Sequence, residues 1–212
     1  MNPDNKFMNF LSRLGDLFIL NVIYLLCCIP VITIGAATTA LYYSTLKLAE
    51  NRESYAWKDY LKALKENFKQ STAIWVIMLA VIAILVMDLL LAGSLGQAIG
   101  SVMAVFIIIV SIFLILMGLY VFPVLARFDN TVKNTMKNAL IMAIRHFPST
   151  VVIALIHGLP LLLGLVSIQV LLSGIFVVLI FTVSILAYFE SKLFTRIFRN
   201  YYPKGEEYIL GG

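Results

Sequence analysis

Four long apolar runs constrain this chain more than any other feature of its sequence. They are Thr72–Leu91, Ile99–Val121, Thr150–Val166 and Ser173–Phe194. A helix needs roughly 17–25 apolar residues to cross about 30 Å of hydrocarbon, and each run lies within or near that length. Hydrophobic residues make up 61% of the chain, compared with roughly 45–50% in soluble globular proteins. The sequence therefore predicts a single all-α domain over residues 1–212, a polytopic membrane helical bundle.

The distribution of charge predicts how these runs are oriented. The turns within each pair of runs, Ala92–Ala98 and Ser167–Leu172, carry no charge, whereas residues 44–71, residues 123–148 and the tail after Glu190 are rich in Lys and Arg. The positive-inside rule places the basic segments in the cytosol and both turns outside. Basic residues alternate with acidic ones in these segments, which does not indicate a nucleic-acid surface. Attraction to the anionic headgroups of the lipid bilayer explains them.

The first apolar region, residues 17–46, is interrupted by Pro30 and Gly35 and has two interpretations. A single crossing, Leu17–Ile34, gives five membrane passages and an external N-terminus. A helical hairpin with an outer turn at Pro30–Gly35 gives six passages and keeps all sixteen Lys and Arg residues inside. We favour the hairpin, with both termini in the cytosol. Each limb is short for a full crossing, so this length also fits a hairpin that only re-enters the leaflet.

Two amphipathic helices are predicted between the hairpins, because apolar residues recur there at helical spacing. The first has an apolar stripe and an opposite basic face, represented by Trp57, Tyr60, Leu64, Phe68, Lys62 and Lys69. The second has the same pattern, represented by Met136, Leu140, Phe147, Lys133 and Lys137. We expect both helices to lie in the cytosolic interface, where they contact lipid or a partner protein.

Five polar residues inside apolar runs are candidate functional residues: Asp88, His157, Thr38, Thr39 and Tyr42. Placing an ionised side chain at the membrane centre costs about 2.5–3.5 kcal/mol on insertion scales, so such residues are functional candidates. Each also has a structural explanation. Asp88 can reach the outer interface, and His157 can donate to a backbone carbonyl freed by Pro160. Thr38, Thr39 and Tyr42 can form hydrogen bonds between helices.

The sequence contains no motif that indicates catalysis. There is no P-loop, no HExxH and no CxxC, and only two histidines are present. The two cysteines, Cys27 and Cys28, are adjacent and have neither disulfide nor metal spacing. We therefore expect no catalytic residues, no cofactor and no metal site, and a chain that is not an enzyme.

Three stretches resemble one known family. Residues 30–43 (PVITIGAATTALYY), residues 66–72 (ENFKQST) and the segment from Phe128–Asn134 to Phe147–Pro148 are similar to the YesL-like family of bacterial integral membrane proteins, whose function is uncharacterised. The resemblance implies a location in the bacterial cytoplasmic membrane. Members of that family accompany carbohydrate ABC importers and glycan-degrading enzymes in Gram-positive bacteria.

Two functions follow as expectations. The first is a non-enzymatic accessory or assembly subunit of a membrane system, with the permease subunits of a carbohydrate ABC importer as the partners that the resemblance implies. The alternative is a small transporter or channel that acts by itself or as a homo-oligomer. The sequence does not determine the oligomeric state.

Overall fold

The computed structural model describes residues 3–52, 55–92, 97–166 and 183–201. Within these ranges it contains seven α-helices, two short 3₁₀ helices (Val31–Thr33 and Arg199–Tyr201) and no strand. The α-helices are α1 Pro3–Cys28, α2 Ile34–Ala49, α3 Ala56–Ala92, α4 Gln97–Arg127, α5 Val132–Arg145, α6 Phe147–Val166 and α7 Val183–Phe198. The predicted all-α class is confirmed.

Helices α1 and α2 form an antiparallel hairpin. Tyr24 of α1 and Thr38 of α2 are joined by a hydrogen bond between their hydroxyl groups (3.5 Å). At the open end of the hairpin the Arg13 guanidinium donates to Asn51 Oδ1, just after α2 (2.6 Å), and in the turn Thr33 Oγ1 donates to the Cys27 carbonyl (2.5 Å). Pro30 follows the end of α1, because its ring cannot continue the helical hydrogen bonds. The interruption seen in the sequence is therefore a helix–helix turn.

Helix α2 is the central element of the bundle. Eleven of its sixteen residues are buried, and it contacts α1, α3, α4 and α7. The closest approach is at Gly35, where an added Cβ atom would lie 2.6 Å from Trp75 Cβ and 2.8 Å from the Ser71 carbonyl oxygen. Small residues at a helix interface allow backbones to approach closely, and here only glycine fits.

Helix α3 corrects one prediction. The stretch from Trp57 to Phe68 is not a separate interfacial helix, because it continues without a break into the apolar run that ends at Ala92. No proline or glycine interrupts Asn67–Thr72, so nothing in the sequence ends the helix there. At 1.5 Å per residue its 37 residues span about 55 Å, which exceeds the roughly 30 Å of a hydrocarbon core. The second predicted helix is separate: α5 and α6 meet at an angle of 102°.

Three helices in the described part of the chain are long and apolar enough to span a membrane: α1 from Leu11, α3, and α4 from Gly100. A fourth span results if the bent pair of α5 and α6 counts as one. Only 17% of the apolar window of α3 and 6% of that of α4 are buried, so their outer faces are compatible with lipid. The predicted six passages are not confirmed, and residues 173–182 of the last apolar run lie outside the described residues.

The tip of the α1–α2 hairpin does not lie at the end of α3 where an outer turn was expected. Trp75 Nε1 donates to the Val31 carbonyl (2.8 Å), so the tip lies beside the first turn of the apolar part of α3. The start of α4 contacts the opposite end of α3, at Ala92, about 25 Å further on at 1.5 Å per residue. The prediction that Pro30–Gly35 is an outer turn like Ala92–Ala98 is therefore not supported, since the hairpin tip and the start of α4 lie beside opposite ends of that run.

Candidate functional site: a polar cluster at the base of an apolar cavity

Glu190 is the most deeply buried carboxylate among the described residues. It lies on α7 with 1% of its surface exposed, and Tyr42 of α2 donates its hydroxyl hydrogen to Glu190 Oε2 (2.5 Å). One residue further along α7, Ser191 Oγ lies 2.8 Å from Thr45 Oγ1. A buried carboxylate is tolerated when hydrogen bonds or an opposite charge compensate it. Tyr42 of α2 supplies one such hydrogen bond.

His157 of α6 lies beside the same carboxylate. Its Nδ1 atom is 3.1 Å from Glu190 Oε1 and 3.1 Å from the Ile153 carbonyl oxygen. The contact with Oε1 is short enough for an ion pair but is not aligned as a hydrogen bond, and Oε1 has no other hydrogen-bond partner in the described residues. A tautomer with the proton on Nδ1 donates to Ile153. The predicted bond to a backbone carbonyl therefore exists, although the carbonyl is that of Ile153 and not the one that Pro160 frees.

A cavity of about 600 Å³ opens next to this pair. Its walls are apolar side chains of α3 and α4, among them Met78, Leu85, Leu89, Ile107 and Leu114. Its base is polar and is formed by Tyr24, Thr38, Tyr42 and His157. Ligand sites combine a mostly apolar lining with a few convergent polar groups, which makes this cavity the candidate site.

The structure brings three of the five predicted polar residues together, because Thr38, Tyr42 and His157 line one cavity. Thr39 instead is fully buried, accepts a hydrogen bond from Ser71 Oγ (3.0 Å) and donates to the Gly35 carbonyl (3.0 Å), which are contacts of helix packing. Asp88 is partly exposed near the end of α3 and does not line the cavity. It is therefore separated from the other candidates.

From the sequence, Glu190 was interpreted only as the inner boundary of the last helix, and it was missed as a site residue. Its partner Tyr42 lies 148 positions away, so no local spacing connects the two. The one available signal was a carboxylate within an apolar helix, which is costly enough in a membrane to indicate function.

The predicted surface residues of α3 divide into two groups. Trp57 and Phe68 are each 40% exposed, and Lys62 and Lys69 are exposed as well. Leu64 is partly buried and Tyr60 is completely buried, so Tyr60 faces the bundle and cannot contribute to a surface. The buried face near the start of this helix is formed by Ala56, Tyr60 and Ala63.

The same division is found around α5. Lys133, Lys137 and Phe147 are exposed, whereas Met136 and Leu140 are partly buried. The residues that α5 buries are Thr135, Ala139, Met142 and Ala143. The bundle therefore buries a face of mostly smaller side chains and leaves bulky apolar and basic side chains near the surface.

A cluster of ion pairs surrounds the turn that follows α2. Glu50, which follows α2, accepts a hydrogen bond from Arg127 at the end of α4 (2.7 Å) and lies 2.8 Å from Arg52. Lys47 pairs with Asp59 of α3 at 2.8 Å. Asn51 has a left-handed backbone, with φ 56°, a conformation that asparagine tolerates better than most residues. These partly buried contacts hold the turn after α2 against α3 and α4.

The fold defines the class of protein. The described part of the chain consists of helices and short connections, and several of the helices are long, apolar and exposed along one side. Such an arrangement is compatible with a multi-pass membrane protein. Residues 17–89, about a third of the chain, match the family described as "Protein of unknown function, DUF624". That match supports the expectation of an uncharacterised family, and it covers α2 and most of α3. Comparison with curated proteins and with solved structures found no match.

Within the described ranges, no group of three or more His, Cys, Asp or Glu residues could hold a metal ion.

Proposed function

We propose that this protein is a non-enzymatic accessory or assembly subunit of another membrane system. The observation that carries the proposal is an exposed surface near the start of α3, formed by Trp57, Leu61 and Phe68, which are 40–45% exposed. Lys62 and Lys69 are exposed beside them. Because α3 is longer than a hydrocarbon core is thick, this part of the helix projects beyond the core. An amphipathic helix face of this kind docks into a groove of a partner protein.

The candidate partners are the permease subunits of a carbohydrate ABC importer. This choice rests on the resemblance to the YesL-like family, while the chemistry of the α3 surface supports a protein partner with an apolar groove and acidic rim. The location that accompanies the proposal is the bacterial cytoplasmic membrane.

The proposed topology keeps both termini in the cytosol. The position of the hairpin tip beside Trp75 supports a hairpin that enters from the cytosolic side and returns before it reaches the outer face. The four long apolar runs then supply the complete crossings. This arrangement replaces the outer turn at Pro30–Gly35 and still leaves every Lys and Arg inside.

Affinity purification from native membranes in mild detergent tests the accessory function. Sugar permease subunits should co-purify with the wild-type protein and be lost from the Trp57→Ala/Phe68→Ala double variant. The matched control is Phe106→Ala, which removes a 61% exposed aromatic side chain from α4 and should leave co-purification intact. If permeases never co-purify above the level of unrelated membrane proteins, the proposal is wrong.

A small transporter or channel is the second candidate, because Thr38, Tyr42 and His157 line a single cavity. Purified protein in liposomes should then move a solute, and His157→Ala should abolish the flux. Asp88→Asn is the matched control, since Asp88 does not line the cavity. Undiminished flux through the His157→Ala variant would remove the cavity from the transport path.

A further inference from the structure

The polar base of the cavity presents hydrogen-bond acceptors and almost no free donors. The Tyr42 hydroxyl hydrogen is directed to Glu190 Oε2, and that of Thr38 to the Ile34 carbonyl (2.7 Å). Thr38 Oγ1 in turn accepts from the hydroxyl of Tyr24 (3.5 Å). When the proton of neutral His157 is on Nδ1, which lies 3.1 Å from the Ile153 carbonyl, the other ring nitrogen is an acceptor. A ligand group that satisfies this base must therefore donate several hydrogen bonds.

The charge of the base favours the same kind of group. Glu190 lies directly behind Tyr42 and His157, and its Oε1 atom has no aligned hydrogen-bond partner in the described residues. Burial of a carboxylate is unfavourable unless a positive charge or several donors compensate it. A cationic donor at the base would supply that compensation, whereas an anionic group would be repelled.

The walls of the cavity specify the rest of the ligand. They run along α3 from Met78 to Leu89, about 16 Å at 1.5 Å per residue. These walls are apolar, and a sugar in contact with them would leave its hydroxyl groups without partners. An unbranched alkyl chain fits the length and the chemistry of the walls.

We propose that the cavity binds an amphiphile that carries a primary ammonium head on an alkyl chain. The ammonium group donates to Tyr42 Oη, Thr38 Oγ1 and the free ring nitrogen of His157, with the Glu190 carboxylate behind them. The chain lies between α3 and α4. This inference shares the cavity with the transporter candidate, but it requires binding only and holds whether or not any solute is moved.

Equilibrium binding of radiolabelled dodecylamine to the full-length protein in a non-ionic detergent tests the proposal. We expect saturable binding to the wild type, with dodecanol and dodecanoate at least tenfold weaker as competitors. Glu190→Gln should weaken binding at least tenfold, because it removes the charge and keeps an oxygen that accepts from Tyr42. Leu114→Trp, which fills the cavity and leaves the polar base unchanged, should also abolish binding.

Asp88→Asn is the matched control, since it removes a carboxylate that does not line the cavity, and its binding should equal that of the wild type. Absence of saturable binding to the wild type would overturn the proposal, as would equal binding to Glu190→Gln or equally effective competition by dodecanoate. Flux in liposomes is a separate measurement. Saturable binding without flux removes the transporter candidate and leaves this inference intact.

Discussion

Replacing Gly35 with alanine adds one methyl group at the point where α2 approaches α3 most closely. The new Cβ would lie 2.6 Å from Trp75 Cβ and 2.8 Å from the Ser71 carbonyl oxygen. Neither atom can move away by rotation of a side chain, so the two helices must separate. Overpacking of this kind costs about 1–3 kcal/mol, and the higher helix propensity of alanine returns about 0.5–1 kcal/mol. We expect a net loss of about 1 kcal/mol, and of about 2.5 kcal/mol at most.

Thermal unfolding in detergent, followed as the fraction of monodisperse protein, measures this loss. For a chain of this size 1 kcal/mol corresponds to roughly 2–4 °C, so Tm should fall by roughly 2–4 °C, and by about 10 °C at most. The matched control is Gly15→Ala on α1, where nothing lies within 4 Å of the added Cβ and Tm should be unchanged or higher. If Gly35→Ala is as stable as Gly15→Ala, the close packing of α2 on α3 is refuted.

Two further variants test the contacts of the bundle. Tyr42→Phe leaves Glu190 Oε2 buried without its donor and should lower the free energy of unfolding by about 1–3 kcal/mol. Glu190→Gln should lower it less, because the amide oxygen still accepts from Tyr42. Equal losses of stability in thermal unfolding would contradict this assignment. Arg127→Met removes a partner of Glu50 in a pair whose side chains are 11% and 14% exposed, and it should cost about 1–3 kcal/mol. Lys62→Met breaks the exposed pair with Glu66 and should leave Tm unchanged, so similar effects of these two substitutions would argue against the cluster of ion pairs.

The sequence predicted those features that depend on neighbouring residues. The hairpin of α1 and α2 followed from Pro30, because a proline lacks the N–H group of the helical hydrogen bond and favours the end of a helix. Proline alone does not decide the matter, since α4 continues through Pro123. The all-α class followed from the length and uniformity of the apolar runs, which need no knowledge of what they contact. Both predictions use local properties of the chain.

The orientation of the helix faces could not be predicted in the same way. Periodicity identified an apolar stripe that contains both Trp57 and Tyr60, but the bundle buries Tyr60 and leaves Trp57 exposed. Both residues belong to the same apolar stripe, so hydrophobicity alone does not separate the side chain that faces the bundle from the one that faces outward. Small residues such as Ala56 and Ala63 allow close packing, and they determine which face is buried.

The candidate site depends on contacts between residues far apart in the sequence. Thr38, Tyr42 and His157 were identified because they are polar residues in apolar runs, yet their convergence on one cavity required the arrangement of α2, α4 and α6. The pairing of Glu190 with Tyr42 also arises only when α7 packs against α2. Asp88 met the same polar criterion and lies elsewhere, so the criterion does not separate site residues from interface residues.

Thiol labelling in intact cells stripped of their wall tests the membrane arrangement most directly. Single cysteines are placed by Asn5→Cys, Ile32→Cys and Ala92→Cys in a variant in which Cys27 and Cys28 are replaced by alanine. An impermeant reagent should label only the Ala92→Cys protein in intact cells, and Asn5→Cys should become reactive once the membrane is opened. Labelling of Ile32→Cys from outside would show that the α1–α2 hairpin crosses the membrane completely. Labelling of Asn5→Cys in intact cells would place the N-terminus outside and contradict the proposed topology.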